Sequence, residues 1–204
     1  MALQNRVNPL GEIVAASERG TLMGNRGVLH DDSRRIVRPW QLIRWIACAT
    51  EFRGRWRPVM TPNRWTELFF LDEATALAAG HRPCAHCRNA DYQRFRGAWS
   101  DARGIDPPSA EAIDRVLHED RLVDRREKRT YLERRAALPD GTLVRLDDAA
   151  WLVLRGTLLR WSLGGYGEPR AAALPDRLEV LTPRSTVAAL RAGYEPDLHA
   201  SAAS

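Results

Sequence analysis

The stretch Cys84-Ala85-His86-Cys87 places two cysteines three positions apart in a chain with only three cysteines among 204 residues. A C-x-x-C turn brings two sulfurs to one side of the backbone, as metal sites and redox pairs require. A thioredoxin-like redox pair needs a preceding strand and a helix that opens at the first cysteine. Here a strand, a helix and then Pro83 precede the first cysteine. This order favours a metal site over a redox pair or a chance pairing.

The segment around the cysteine pair, LFFLDEATALAAGHRPCAHCRNAD (68–91), resembles the metal-binding module of the Ada alkylation-response protein and of similar zinc modules attached to nucleases. In that family, a strand and a short Glu- and Ala-rich helix lead into a Gly-aromatic-Arg-Pro-Cys-x-x-Cys run. The matching residues are Glu73, Ala79, Gly80, Arg82, Pro83, Cys84 and Cys87, with His81 at the aromatic position. The resemblance covers about residues 45–95.

The resemblance implies that Zn²⁺ is bound by four ligands, two of them from the C-x-x-C and two from an upstream segment. Cys84 and Cys87 carry over directly, and Cys48 is the expected third ligand. A fourth cysteine is absent, so we predict that His30 completes the tetrahedron, with His118 as the alternative. The resemblance also implies contact with DNA, in repair or DNA processing. The resemblance does not imply the methyl-accepting activity, because the acceptor cysteine of the family has no clear counterpart in this sequence.

The charge of the chain permits a nucleic-acid partner. The formal net charge is +5, and all but one of the 31 basic residues are arginine, whose planar guanidinium suits phosphates and base edges. A genome rich in G and C also explains this preference for arginine. We predict that nucleic acid is bound by arginines near the cysteine motif: Arg53, Arg55, Arg57, Arg82 and Arg88.

One helix carries a possible catalytic group. Asp114 and His118 are four residues apart, so a carboxylate could orient an imidazole there, and Arg121 lies on the same face. An ordinary pair on a solvated helix explains the same spacing. The alternative function is therefore a metal-dependent or general-base enzyme acting on a phosphodiester or a modified base. The sequence contains no G-x-S-x-G, phosphate-binding loop or dinucleotide fingerprint. The third hypothesis is a module that binds only protein.

The pattern of apolar residues and turn signals predicts an α+β fold. A zinc-stabilised β-meander and helix module is expected at 1–104, and a helical bridge with a small C-terminal antiparallel sheet and a terminal helix at 105–204. We expect one compact unit. Asp72 and Ser109 are predicted to cap helices. Residues 45–52 and 55–60 are predicted to form a hairpin, and the final residues are expected to be a frayed tail.

No apolar run approaches 18 residues, which predicts that the chain has no transmembrane helix. The N-terminal residues lack the basic and then apolar pattern of a secretory signal. A cytoplasmic location is therefore expected, and three cysteines do not suit a disulfide framework.

Overall fold

The computed structural model describes residues 2–54, 58–170 and 173–203. Within these ranges, the chain forms two six-stranded sheets and four α-helices. The second sheet lies in the C-terminal half and is followed by the last α-helix. The predicted α+β class, with a C-terminal sheet and a terminal helix, is therefore confirmed.

The N-terminal sheet has the strand order β2-β1-β5-β3-β4-β6. Its strands are β1 (Gln4–Val7), β2 (Ile13–Ala15), β3 (Leu22–Asn25), β4 (Ile46–Ala49), β5 (Leu68–Phe70) and β6 (Arg82–Pro83). β4 pairs antiparallel with β3 and parallel with β6. The predicted hairpin partner, residues 55–60, is not a strand in its described part, residues 58–60, and residues 55–57 lie outside the described ranges.

The helices begin where the sequence supplies capping side chains. They are α1 (Glu73–Ala78), α2 (Asn89–Asp101), α3 (Ala110–Arg121) and α4 (Arg184–Arg191). The Asp72 carboxylate accepts a hydrogen bond from the backbone N–H of Thr75, and the Ser109 hydroxyl accepts one from Ala112. Both predicted caps satisfy backbone donors that the first helical turn leaves unpaired. None of the helices in the described ranges has the length and apolar composition needed to span a bilayer.

The C-terminal sheet consists of antiparallel pairs in the order β11-β10-β9-β8-β12-β7. Its strands are β7 (Tyr131–Arg134), β8 (Leu143–Leu146), β9 (Ala149–Leu154), β10 (Thr157–Ser162), β11 (Gly165–Pro169) and β12 (Arg177–Val180). Four of them match predicted strands. β7 lies in a charge-dense run for which a solvated helix or loop is the expectation, and its pairing with β12 makes it an edge strand instead.

The hydrophobic cores cross the position expected to separate two parts, near residue 104. One core joins Leu77 of α1 and Trp99 of α2 to Leu117 of α3 and Leu190 of α4. A second joins Ala74 and Ala78 of α1 to strands β8, β9 and β10 of the C-terminal sheet.

The C-terminal tail is ordered against this core rather than frayed. The Ser201 hydroxyl accepts a hydrogen bond from the Tyr166 backbone N–H at 2.8 Å, and Ala202 is buried in the second core. Because α1 touches both sheets and the tail, it is one of the elements that join the two halves of the chain.

Candidate metal centre

Three cysteines from two distant stretches of the chain converge on one point. The sulfur atoms of Cys48, Cys84 and Cys87 all lie within 4.8 Å of one another. Two thiolates on one tetrahedral zinc, with Zn–S bonds of about 2.3 Å, stand about 3.8 Å apart. The three sulfurs therefore fit around a single ion of this size. The predicted convergence of these cysteines is present in the structure, and none of the three forms a disulfide.

The pairing of short strands creates this convergence. β6 runs parallel to β4, with Ala47 opposite Pro83, and the Cys84 N–H donates to the Ala47 carbonyl at 2.9 Å. Cys48, the next residue of β4, therefore lies beside the first cysteine of the motif. The C-terminal turn of α1 leads directly into β6. The helix therefore positions β6 for its pairing with β4.

The C-x-x-C turn has backbone donors aimed at sulfur. The His86 N–H points at the Cys84 sulfur at 3.5 Å, and the Arg88 N–H donates to the Cys84 carbonyl at 3.1 Å. Hydrogen bonds from the thiols of Cys48 and Cys87 lower the pKa of Cys84, and the same contact raises the pKa of Cys48. A thiolate at Cys84 is thus the favoured anionic form, and thiolates are the form in which cysteine binds metal.

His30 does not join this cluster, contrary to the prediction. Its Nδ1 lies 2.6 Å from the Thr66 hydroxyl and its Nε2 lies 3.2 Å from the Thr61 carbonyl oxygen. The imidazole is 5% exposed and serves to anchor a loop. Among the described residues, the group with metal-ligand geometry contains the three cysteines only, so His118 is not part of it either.

The predicted Asp114–His118 pair is replaced by other contacts. Asp114 is buried and accepts two hydrogen bonds from Arg82, each 2.8 Å long. His118 instead has its Nδ1 3.0 Å from the Arg121 guanidinium, and its ring packs edge-on against Trp40. Desolvation and the positive Arg121 lower the pKa of His118. Within the described part of the chain, this imidazole contacts Arg121 and Trp40 and not Asp114, so the Asp114–His118 arrangement that the spacing suggested is not formed.

Two arginines of the predicted nucleic-acid surface are in the interior. Arg82 is 2% exposed and pairs with Asp114, while Arg88 is 7% exposed and lies 3.0 Å from the Glu73 carboxylate. Both guanidiniums hold elements together and do not present a surface to a partner. Arg53 is exposed, with its guanidinium over the Phe52 ring. The predicted contacts Arg55 and Arg57 lie outside the described residues.

A cleft of about 990 Å³ lies next to the cysteine-bearing strand. Its walls include Thr50 and Phe52, which follow Cys48 along the chain, and the cations Arg6, Arg19 and Arg53. The Phe52 ring also contacts His86 inside the C-x-x-C turn, with ring centroids 5.0 Å apart. Phe52 therefore connects the lining of the cleft to the C-x-x-C turn.

A second group of charged residues has no signal in the local sequence. Arg26, Arg121 and Lys128 come from three separate segments and line one cavity. Only one feature hints at it: Lys128 is the sole lysine of the chain. The burial of the two arginines depends on packing between distant elements, which residue spacing does not reveal.

No protein-family model matches the chain, and neither a curated protein nor a solved structure does. The geometry of the three cysteines therefore carries the assignment of a possible metal site, and the likeness to Ada-type modules stays an expectation.

Proposed function

We propose that the chain is a zinc-binding protein that contacts nucleic acid through the cationic cleft beside its metal centre. The observation that carries this proposal is the approach of three cysteine sulfurs to within 4.8 Å of one another. Thiolate ligands select soft or borderline ions, and zinc is the common choice for tetrahedral sulfur-rich sites. The bound ion would fix β4 to the turn that follows β6 and so hold one wall of the cleft in place.

The chemistry of the cleft supports a nucleic-acid ligand. Arginines bind phosphates along a backbone, and aromatic rings offer surfaces on which unpaired bases stack. The cleft combines three arginines with the rings of Phe52 and Phe69, and Glu51 is the acidic residue of its lining. This composition favours single-stranded nucleic acid over a protein partner.

Metal analysis of purified protein tests the first half of the proposal. We expect one zinc per chain in the wild type and less than stoichiometric zinc in Cys48→Ser, Cys84→Ser and Cys87→Ser. His30→Ala serves as the matched control and should keep its zinc, because both ring nitrogens are engaged by Thr66 and Thr61. Wild-type protein without metal, or full zinc in Cys48→Ser, would contradict the three-cysteine site.

Fluorescence anisotropy with a labelled single-stranded oligonucleotide tests the second half. The affinity should fall linearly with the logarithm of salt concentration, as counterion release requires. Arg53→Ala should weaken binding and reduce that slope by about one. Arg115→Ala, which removes an exposed arginine of α3 outside the cleft lining, is the control and should leave the slope unchanged. Salt-independent binding, or equal slopes for the two variants, would count against this surface.

A metal-dependent enzyme is the second candidate, and one observation favours it. Three cysteines supply the protein ligands of the cluster, and catalytic zinc sites also keep one position for water or substrate. X-ray absorption at the zinc edge separates the candidates. Three sulfur atoms plus one exchangeable light atom favour the enzyme, whereas a fourth ligand from protein favours a structural ion.

A further inference from the structure

A cavity of about 310 Å³, separate from the cysteine cluster, is lined by six cationic side chains. Arg26, Arg121 and Lys128 form part of its wall together with Trp45, and these cations are joined in the lining by Arg38, Arg125 and Arg126. The acidic residue of the lining is Glu12, whose carboxylate accepts a hydrogen bond from the Asn8 side chain. The lining therefore carries a large excess of positive charge.

The two arginines of the wall are almost completely buried around one ring. Arg26 and Arg121 are each 1% exposed, and their guanidinium carbons lie 4.0 Å and 3.9 Å from the centre of the Trp45 ring. Burial lowers the pKa of both arginines to about 9, and repulsion from Arg121 also lowers that of Arg26. The pKa of Arg121 is in addition raised by Asp114 and lowered by Arg82. Such proximity of like charges is unfavourable unless an anion offsets it.

The hydrogen bonds of these cations go to neutral partners. Arg26 donates to the Gly11 carbonyl at 2.9 Å and to His81 Nε2 at 3.3 Å, and its Nη2 atom has no partner among the described residues. Arg121 donates to the carbonyls of Gly80 and Ile43, and its Nε atom also lacks a partner there. Donors that are buried without a partner cost free energy, so an acceptor that reached them from the cavity would stabilise the folded chain.

Lys128 adds a third cation from the segment that follows α3. Its Nζ donates to the Ala78 carbonyl at 2.6 Å. Desolvation, followed by repulsion from Arg26 and Arg121, lowers the pKa of this ammonium to about 7. None of the ion pairs formed among the described residues involves these three cations. The positive charge of this site favours an anion.

We propose that this cavity binds a phosphate group. A phosphate has several acceptor oxygens and more than one negative charge near neutral pH, so it can use the free donors of Arg26 and Arg121 and the Lys128 ammonium together. A single carboxylate would offset only one of the three charges. The cavity volume is at the lower end of the range for small-molecule sites, which suits a phosphate or a mononucleotide.

The aromatic part of the lining suggests how a larger ligand would sit. Trp40 lies at the same cavity, is partly exposed, and has the Arg125 guanidinium 5.1 Å from its ring centre. A nucleobase attached to the bound phosphate could stack there. The site uses none of the three cysteines, so it stands apart from the metal centre and from the cleft beside it.

Isothermal titration with inorganic phosphate, at low salt and at a pH below 7, tests this site. We expect saturable binding to the zinc-loaded wild type and a rise in melting temperature with phosphate concentration, because a ligand of the native state stabilises it. Lys128→Met should weaken the affinity by about tenfold or more, the effect of losing one charge-assisted hydrogen bond. Arg125→Ala, at the exposed rim, should give a smaller loss. Arg160→Ala, on the exposed face of β10, should match the wild type.

Three further titrants identify the source of the phosphate. They are a nucleoside 5′-monophosphate, an oligonucleotide with a 5′-phosphate and the same oligonucleotide with a 5′-hydroxyl. Higher affinity for the mononucleotide than for inorganic phosphate supports a nucleotide ligand. Higher affinity for the 5′-phosphorylated strand than for the 5′-hydroxyl strand supports the end of a nucleic acid as the ligand. No saturable binding of any phosphate, or equal affinity in wild type, Lys128→Met and Arg125→Ala, would overturn the proposal. Zinc content tests the metal proposal, and oligonucleotide anisotropy with Arg53→Ala tests the cleft proposal. Both measurements are independent of phosphate binding at this cavity.

Discussion

The Asp114 carboxylate and the Arg82 guanidinium form a two-pronged pair, with Nε–Oδ1 and Nη2–Oδ2 distances of 2.8 Å each. Both residues are 2% exposed. Arg82 lies in β6, two residues before the first cysteine of the motif, and Asp114 lies in the second turn of α3. The pair therefore anchors the C-x-x-C turn to α3, and it explains why neither residue is free for binding or catalysis at the surface.

Breaking this pair should destabilise the fold strongly. Asp114→Ala leaves the Arg82 charge buried without its partner, which typically costs about 3–5 kcal/mol. The double variant Arg82→Met, Asp114→Leu should recover part of that loss, because it removes both charges and keeps apolar volume. Urea denaturation of zinc-loaded protein measures the free energy of unfolding. A loss below about 1 kcal/mol in Asp114→Ala would contradict the buried pair.

A buried tyrosine ties the end of the chain to α1. The Tyr194 hydroxyl donates to the Glu73 carboxylate at 2.6 Å, and both residues are nearly inaccessible. Tyr194→Phe should lower the free energy of unfolding by about 1.5–3 kcal/mol, the usual cost of losing a hydrogen bond to a buried charge. Tyr92→Phe, in the same core, is the control and should stay within about 0.5 kcal/mol of wild type. Equal effects of the two changes would argue against a special role for Tyr194.

The elements that could be predicted from the sequence are those defined by local signals. Ser109 as a cap, with Ile113 and Leu117 on one face, is sufficient to define α3. The edge strand β7 has no such signal, because it is only four residues long and two of them are charged. Its position depends on pairing with β12, including the hydrogen bond from the Thr130 hydroxyl to Glu179, across almost fifty residues.

The residues of the candidate site also divide into those with a local sequence signal and those placed by distant contacts. The C-x-x-C spacing identifies Cys84 and Cys87, and the resemblance to Ada-type modules suggests Cys48 as the third ligand. The burial of Arg82 and Arg88 does not follow from the sequence, since arginine is ordinarily exposed and their buried partners Asp114 and Glu73 lie on other helices. His30 is predicted as the fourth ligand because a fourth cysteine is absent, yet Thr66 and Thr61 contact both of its ring nitrogens.

Gly80 is required at the end of α1 for two separate reasons. Its φ of +89° is left-handed, and a Cβ there would come within 2.5 Å of the Arg121 side chain. Gly80→Ala should destabilise the protein by about 1–3 kcal/mol and weaken phosphate binding by displacing Arg121. Gly156→Ala has a similar φ of +76° but open space around it, so it measures the backbone cost alone. Thermal unfolding of both variants separates the two effects, and equal losses would exclude the steric one.

The only lysine of the chain should make stability depend on pH in a predictable direction. The pKa of Lys128 is lowered to about 7 in the folded protein, against an ordinary value near 10.5. Between these values the unfolded state binds more protons, so this group makes the free energy of unfolding rise with pH above about 7.

The surroundings of Lys128 set the useful pH range and the control. The other charged groups of its cavity are Arg26, Arg38, Arg121, Arg125, Arg126 and Glu12. Two of them, Arg26 and Arg121, have pKa values of about 9, so the comparison is made between about pH 7 and pH 9. Urea denaturation of zinc-loaded, phosphate-free protein should show that the free energy of unfolding rises with pH in wild type. The same free energy should change less with pH in Lys128→Met. In wild type, NMR titration of the ¹³C-methylated lysine should place its midpoint near 7. A midpoint near 10.5, with parallel stability profiles, would mean that the ammonium is solvated and that the cavity lacks its third cation.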